Sequence, residues 1–293
     1  MRIVIGLVTA LLFALAAFTD ARATGSKITI VAAENFYGDV AQQIGRDRVS
    51  VASILSNPDQ DPHLFETAPS VVREIAAAQL VIYNGADYDP WMERLLQVTP
   101  KPGRAVIVAA DLMHKKAGDN PHLWYDPATM PAVAKALAAA LSAADPAHAD
   151  RYTTGLRAFL ASLQPLSDKI AAIRGKYAGA TVAATEPVFG YMANALHLTL
   201  LDQRFQLSIM NNTEPSVGDL AAFESDLKMH KIRVLFYNKQ ASDRIVQHLI
   251  DLARASNIPI VAVTETCPPG LSYQNWIMSE LVATETALAE PSS

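Results

Sequence analysis

Residues 27–55, KITIVAAENFYGDVAQQIGRDRVSVASIL, decide the fold of this chain. Segment 27–33 is rich in β-branched residues, which favour a strand, and segment 35–45 then places its apolar residues at helical spacing. Segment 49–55 returns to the strand pattern. A strand, a helix and a second strand in this order are typical of a parallel α/β sheet.

The same alternation continues on both sides of one long helical segment. Residues 147–177 carry apolar positions at helical spacing for longer than an ordinary helix, and Pro165 should kink that helix. Before it, the patterns predict strands 80–83 and 105–109 and helices 70–78, 90–98 and 128–144. After it, they predict strands 180–184, 198–201, 234–237 and 259–263 and helices 187–196, 218–230 and 242–256.

The sequence therefore predicts an α/β protein of two lobes, with parallel sheets flanked by helices and joined by one long kinked helix. The length of 293 residues supports two domains, because a single core stops growing near this size. The expected limits are 24–146 for the N-terminal lobe, 147–175 for the linking helix and 176–293 for the C-terminal lobe.

The first residues have the pattern of an export signal. Arg2 provides a positive start, residues 3–18 are an uncharged apolar run, and Ala21 and Ala23 are the small residues that signal peptidase reads. We expect residues 1–23 to be a cleaved signal peptide and the mature chain to be periplasmic. A transmembrane anchor is the alternative, but the apolar run is short for a bilayer.

Composition narrows the partners and the chemistry of any site. With 51% hydrophobic and 18% charged residues, the chain is not disordered. Its net charge of −5 and the lack of a Lys or Arg run argue against nucleic acid and against a polybasic membrane surface. The only cysteine, Cys267, excludes a disulfide framework, a Cys-based zinc knuckle and a lipid at the start of the mature chain.

Two histidines and two glutamates follow predicted strands. His63 lies in NPDQDPHLFE after strand 49–55, and His122 lies in the similar loop DNPHLWYDP after strand 105–109. Glu186 follows strand 180–184, and Glu265 follows strand 259–263. Ligands of parallel sheets bind beyond the carboxyl ends of strands, and two imidazoles with two carboxylates match a divalent cation. We therefore predict a metal site between the lobes.

Simpler interpretations compete for each of these residues. A single His in a Pro-rich loop is usually a surface residue, and Glu186, which precedes Pro187, is also suited to the start of a helix. Cys267 lies near Glu265, but the tight loop Pro268-Pro269-Gly270 favours a structural role. The remaining histidines have structural contexts on helices or in loops: His114, His148, His197, His230 and His248.

Several strings, in order, carry a family resemblance. They are NPDQDPHLFE, LVIYNGADYDPWMERLL, NPHLWYDP, TEPVFGYMANALHL, TEPSVGDLAAFESDLK and IPIVAVTET. The chain resembles the substrate-binding proteins of zinc and manganese uptake ABC transporters, within the helical-backbone metal-receptor superfamily. This resemblance implies two α/β lobes on one rigid helix and a metal bound by His63, His122, Glu186 and Glu265.

Some residues depart from the family pattern. The third ligand position is His in many zinc receptors and Glu in many manganese receptors, and here it is Glu186. The fourth is most often Asp rather than Glu265, and Asn238 stands where relatives often have an acidic residue. The loop 110–121 lacks a histidine-rich insertion. A site with two His and two carboxylates suits Zn²⁺ or Mn²⁺, with Fe²⁺ as a further candidate, and intrinsic affinity favours zinc over manganese.

The function that we predict is capture of a divalent metal, zinc or manganese, and its delivery to an ABC permease, with no enzymatic step. A zinc hydrolase is one alternative, although the sequence has no HExxH string. The other alternative is an adhesin or interaction protein that keeps the fold without binding metal.

Overall fold

The computed structural model describes residues 27–58, 62, 65–211, 213–241 and 243–290. The expected signal peptide, the expected start of the mature chain and His63 lie outside these residues. The described chain forms two parallel sheets of four strands each, flanked by helices, as the sequence predicts. Within these ranges, no helix combines the length and the apolar character needed to cross a membrane.

The two sheets have the same strand order relative to the chain. The first sheet has the order β2-β1-β3-β4 and the second has β6-β5-β7-β8, with every pairing parallel. The strands of the first sheet are β1 (Ile28–Glu34), β2 (Val49–Leu55), β3 (Leu80–Tyr83) and β4 (Ala105–Val108). Those of the second are β5 (Thr181–Ala184), β6 (Thr199–Leu200), β7 (Val234–Asn238) and β8 (Ile260–Val263).

Twelve α-helices cover these sheets and connect them in the described chain. In the first half they are α1 (Asn35–Gly45), α2 (Pro69–Ala77), α3 (Pro90–Val98), α4 (Ala109–Leu112), α5 (Thr129–Ala144), α6 (Ala149–Ser162) and α7 (Gln164–Tyr177). In the second half they are α8 (Gly190–Ala195), α9 (Gln203–Met210), α10 (Val217–Lys228), α11 (Arg244–Ala255) and α12 (Tyr273–Ala289).

Small residues allow the first helix to pack closely. A Cβ atom at Gly38 would lie 2.1 Å from the Ser53 hydroxyl oxygen, so α1 approaches β2 only because this position is glycine. A Cβ atom at Gly155 of α6 would lie 2.4 Å from the Ile44 carbonyl oxygen. The two glycines therefore fix α1 between the first sheet and the linking helix.

The long helix bends where the sequence predicts a kink. Helix α6 ends at Ser162, Leu163 interrupts it, and Pro165 lies in the first turn of α7. A proline is tolerated there because the first turn has no helical acceptor for its missing N–H. The bend thus joins α6 and α7 into one kinked connection between the two sheets.

The structure also contains helices that the sequence analysis did not identify: α4, α9 and α12. The longest of them, α12, packs against α7 and β8. It buries Tyr273, Trp276, Leu281 and Leu288, together with the polar Glu280. In addition, the predicted helix 187–196 divides into a 3₁₀ turn, Pro187–Phe189, and α8.

The two halves share one aromatic core. The ring of Phe36 lies 4.8 Å from that of Trp124 and 5.8 Å from that of Trp276, between ring centroids. At the same boundary, the Asn35 side chain donates to the Cys267 carbonyl at 2.7 Å and accepts from the Cys267 N–H at 3.0 Å. The loop after β8 is therefore bound directly to α1.

Glu280 is an ionisable group inside this shared region. Its carboxylate oxygen accepts from the Trp276 indole N–H at 2.9 Å and from the Thr264 N–H at 3.3 Å. Burial raises the pKa of Glu280 to about 8, although these hydrogen bonds act in the opposite direction. At pH 7 the folded protein holds this carboxyl group mainly neutral, whereas the unfolded chain ionises it.

We predict that Glu280 makes the folded state less stable as pH rises from about 5 to about 8. Folding takes up a proton in this window because the folded pKa is raised, so this group lowers the free energy of unfolding by up to about 1.4 kcal/mol per pH unit. Denaturant unfolding of Glu280→Gln at several pH values should show a flatter dependence than the wild type.

The exposed Glu74 of α2 provides the matched control. Glu74→Gln should keep the wild-type pH dependence. Equal slopes for the wild type and Glu280→Gln would show that Glu280 is not the proton-binding group.

Candidate metal site

The structure places three of the predicted ligands at carboxyl ends of strands. Glu186 follows β5 and Glu265 follows β8, whereas His122 follows β4 and the short helix α4. All three are buried, with His122 1% and Glu265 0% exposed. The fourth, His63, lies outside the described residues.

The strand order explains how the two glutamates meet. Strand β7 lies between β5 and β8 in the second sheet, and Asn238 is its last residue. The side chain of Asn238 therefore extends from the sheet edge between the loops that carry Glu186 and Glu265. This position is also where the strand order reverses around β5, which is the usual ligand-binding edge of a parallel sheet.

Asn238 joins the two carboxylates through one amide group. Its Nδ2 atom lies 2.6 Å from Glu186 Oε2 and 2.6 Å from Glu265 Oε1. Its Oδ1 atom accepts from the Gln240 backbone N–H at 3.0 Å, which fixes the orientation of the amide. Each hydrogen of the NH₂ group can thus serve one carboxyl group, so a single amide holds the two side chains close together.

The backbone of Glu265 is also held. The Gln240 Oε1 atom accepts from the N–H groups of Glu265 at 2.6 Å and Thr266 at 3.2 Å. Glu186, in contrast, precedes the 3₁₀ turn without capping it by its side chain. Glu186 does stand at the start of this turn, as the simpler interpretation expects, but its carboxylate accepts a hydrogen bond from Asn238.

His122 presents a defined nitrogen to this carboxylate pair. Its Nδ1 atom lies 2.7 Å from Asn120 Oδ1, an arrangement that favours the tautomer with hydrogen on Nδ1. Its Nε2 atom lies 3.5 Å from Glu265 Oε2. An amide oxygen on the second nitrogen is a common way to orient a metal-binding imidazole.

Asn120 and Asn84 position the His122 loop, and the sequence analysis missed both. Asn120 donates to the Pro187 carbonyl at 2.8 Å, so one side chain connects His122 with the segment after Glu186. Asn84, at the end of β3, donates to the Pro121 carbonyl at 2.8 Å. Their only signal in the sequence is an Asn beside a strand end or beside the His, which many loops share.

Aromatic side chains surround the His122 side of the site. The ring of Trp124 lies 5.3 Å from the His122 ring, and that of Tyr88 lies 6.1 Å from it. Burial, followed by the charges of Glu265 and Glu34, raises the pKa of Tyr88 well above its ordinary value. Tyr88 therefore stays neutral. Because this side of the site is poorly hydrated, electrostatic interactions are stronger here than in bulk water.

Next to these aromatic side chains lies a second carboxyl pair, Glu34 and Asp89, which the sequence analysis did not identify. Burial first, and then the neighbouring Asp89, raise the pKa of Glu34 well above its ordinary value. Burial also raises the pKa of Asp89, to about 6, but Asp89 accepts the backbone N–H groups of Asn84 at 2.6 Å and Gly85 at 2.7 Å, which favour its anion. Glu34 therefore holds a proton, and the pair carries one negative charge rather than two.

Cys267 is buried, and its sulfur lies 3.8 Å from the Pro268 carbonyl oxygen and 3.4 Å from that of Leu271. Burial raises the pKa of its thiol to about 12, so it is not a thiolate ligand at neutral pH. Within the described ranges, no three His, Cys, Asp or Glu side chains are grouped closely enough to hold a metal ion by themselves. A complete shell would therefore need His63, a small approach of the three described groups, or both.

Solved structures show the same fold. The chain matches the periplasmic zinc-binding protein TroA of Treponema pallidum with a TM-score of 0.77 at 18% identity, over 90% of this chain and 100% of that chain. A manganese-bound periplasmic metal-binding protein of Candidatus Liberibacter asiaticus matches with a TM-score of 0.74 at 18% identity, over 89% and 100% of the respective chains.

Sequence relatives cover almost the whole chain. The manganese ABC transporter substrate-binding lipoprotein PsaA of Streptococcus mitis is 25% identical over 291 residues, which cover 92% of this chain and 91% of that protein. The metal ABC transporter substrate-binding lipoprotein ScbA of Streptococcus cristatus is 25% identical over 279 residues, covering 87% of each. The profile of the periplasmic component A of the zinc-uptake complex matches residues 30–287, so the chain belongs to this family of transport components.

Proposed function

We propose that this protein binds a divalent transition metal in the periplasm, with zinc favoured over manganese, and delivers it to the permease of an ABC transporter. The observation that carries this proposal is the convergence of Glu186, Glu265 and His122 from three separate strand ends. Family membership supports the transport role. It also agrees with the prediction that the protein is a binding component and not an enzyme.

The donor set suits the proposed cargo. Two carboxylates balance the charge of a divalent cation, and imidazole nitrogen with carboxylate oxygen suits both zinc and manganese. We propose His63 as the fourth donor because its loop closely resembles the loop of His122. Binding would then couple the ion to the geometry of both lobes, for which the limits 24–146 and 176–293 remain our proposal.

The proposal of export rests on the first residues of the sequence and on family membership. Residues 1–23 have the signal pattern, and family membership supports a periplasmic location. The hydrolase alternative has no support from the family, which consists of transport components. Metal-dependent stability distinguishes a metal receptor from an interaction protein that does not bind metal.

We predict that zinc raises the melting temperature and that a chelator removes the increase. A ligand that binds the folded state at about a hundred times its dissociation constant stabilises that state by roughly 2.7 kcal/mol. Thermal melts of the apo protein, the zinc-loaded protein and the zinc-loaded protein with EDTA test this. A melting curve indifferent to metal would favour the interaction protein.

We further predict that His63→Ala and Glu265→Ala each abolish tight zinc binding. Each removes one donor from a shared shell, so the loss in the double variant should be smaller than the sum of the single losses. Titration calorimetry on the two single variants and the double variant measures this coupling. Full affinity in either single variant would remove that residue from the shell, and additive losses would indicate two independent sites.

His248→Ala provides the control. His248 lies on α11, exposed, with its Nε2 atom 3.0 Å from Glu224 Oε1, and it should retain wild-type affinity.

A further inference from the structure

We propose that Tyr191 is a positioning residue for the candidate metal site: it holds Asn120 from the second half of the chain, and through Asn120 it sets the orientation of the His122 ring. The inference rests on the proposed function, because it assigns a role in binding the same ion. Tyr191 supplies no donor atom to that ion, since it acts through Asn120.

Two side chains from opposite halves hold successive carbonyl groups just before His122. The Tyr191 hydroxyl donates to the Asn120 carbonyl at 2.8 Å. The Asn84 amide donates to the next carbonyl, that of Pro121, also at 2.8 Å. Asn84 directly follows β3 of the first sheet, whereas Tyr191 lies on α8, after β5 of the second. The segment that leads into His122 is therefore held from both sides of the boundary between the halves.

Asn120 carries this restraint to the imidazole. Its Oδ1 atom lies 2.7 Å from His122 Nδ1 and accepts from the His122 backbone N–H at 3.1 Å. Its Nδ2 atom donates to the Pro187 carbonyl at 2.8 Å, so the same amide is fixed at its other end. An acceptor beside Nδ1 favours the tautomer with hydrogen there, which makes Nε2 the nitrogen with the lone pair that a metal needs. A displaced Asn120 main chain would weaken this selection.

The Tyr191 ring is held by the same loop. The Lys115 ammonium lies 5.1 Å from the centroid of this ring, within the range of a cation–π interaction. Between the two contacts the loop has a defined turn, in which the Lys116 N–H donates to the Asp119 carboxylate at 3.0 Å and the Asp119 N–H donates to the Lys116 carbonyl at 3.0 Å. The loop therefore contacts both the ring and the hydroxyl of one side chain.

The residue before Tyr191 must be small for these contacts to form. A Cβ atom at Gly190 would lie 3.1 Å from Asn120 Nδ2, so a side chain there would displace the amide by a few tenths of an ångström. The hydrogen bonds of Asn120 therefore depend on Gly190 as well as on Tyr191.

The test measures the zinc affinity of the full-length mature protein by titration calorimetry. Tyr191→Phe keeps the ring and removes the hydroxyl donor, so the zinc dissociation constant should rise about tenfold, at the low end of effects from residues that orient a ligand. Tyr152→Phe is the matched control, because the Tyr152 hydroxyl on α6 also donates one hydrogen bond of 2.8 Å, to Asp145. This control should keep the wild-type affinity.

A double-variant comparison tests whether Tyr191 acts through Asn120. In the Asn120→Ala background the side chain that contacts His122 is absent, so Tyr191→Phe should change the zinc affinity less than about twofold. Equal losses in both backgrounds would show that the two residues act independently, and this would overturn the inference.

Nitrogen NMR of the His122 ring gives a second measurement that needs no metal. At a pH where the ring is neutral, a hydrogen fixed on Nδ1 should separate the resonances of the two ring nitrogens widely in the apo wild type. Tyr191→Phe should bring the resonances closer, because both tautomers become populated, and Tyr152→Phe should leave them unchanged. An unchanged separation in folded Tyr191→Phe would overturn the inference.

The two measurements separate failure of the inference from failure of the proposed function. Wild-type protein that binds neither zinc nor manganese would contradict the function, and the nitrogen spectra would still decide whether Tyr191 positions His122. An unchanged zinc affinity in folded Tyr191→Phe would overturn the inference alone. Thermal melts identify a variant that does not fold. If Tyr191→Phe is such a variant, Gly190→Ala, which displaces the same amide, takes its place in both measurements.

Discussion

Two buried carboxylates restrained by a single amide are the interaction on which the rest of the site depends. Glu186 and Glu265 would repel each other if they were ionised side by side without a donor between them. Asn238 can stand between them only because β7 lies between β5 and β8. The strand order of the second sheet is therefore part of the chemistry of the site. An acidic side chain in place of Asn238 would bring a third negative charge into the same buried space.

The first sheet also has two neighbouring buried carboxyl groups, but their repulsion is relieved in a different way. Its strand order is the same, and the ends of β1 and β3 carry Glu34 and Asn84. Here the second carboxyl group belongs to Asp89. A proton on Glu34 reduces the repulsion between the two groups, as the amide of Asn238 does in the other half. The second half thus places two carboxyl groups on one amide, while the first half keeps its buried charge low. The two halves share a topology but differ in electrostatics.

The sequence predicts the fold well because the apolar periodicity is strong. Strands β2 and β3 and helices α1 and α3 begin and end at the predicted residues, and the interruption at Leu163 lies next to the predicted kink at Pro165. Helix α12 was missed because its buried stripe includes the polar residues Glu280 and Thr284 while the apolar Val282 lies on the exposed side, which weakens the apolar periodicity. The strand-end positions of Glu186 and Glu265 follow from topology alone. Which side chains would hold them does not follow, because an amide bridge joins residues far apart in sequence.

The aromatic side chains beside His122 also determine which fluorophore is close to the site. Trp124 is fully buried, and its ring lies 5.3 Å from the ring of His122. The other two tryptophans, Trp91 and Trp276, lie elsewhere in the fold, on α3 and α12. An imidazole that changes its protonation or binds a cation alters the electric field at a neighbouring indole. Trp124 is therefore an intrinsic fluorophore in contact with the site, and its emission reports the state of His122 without any added dye.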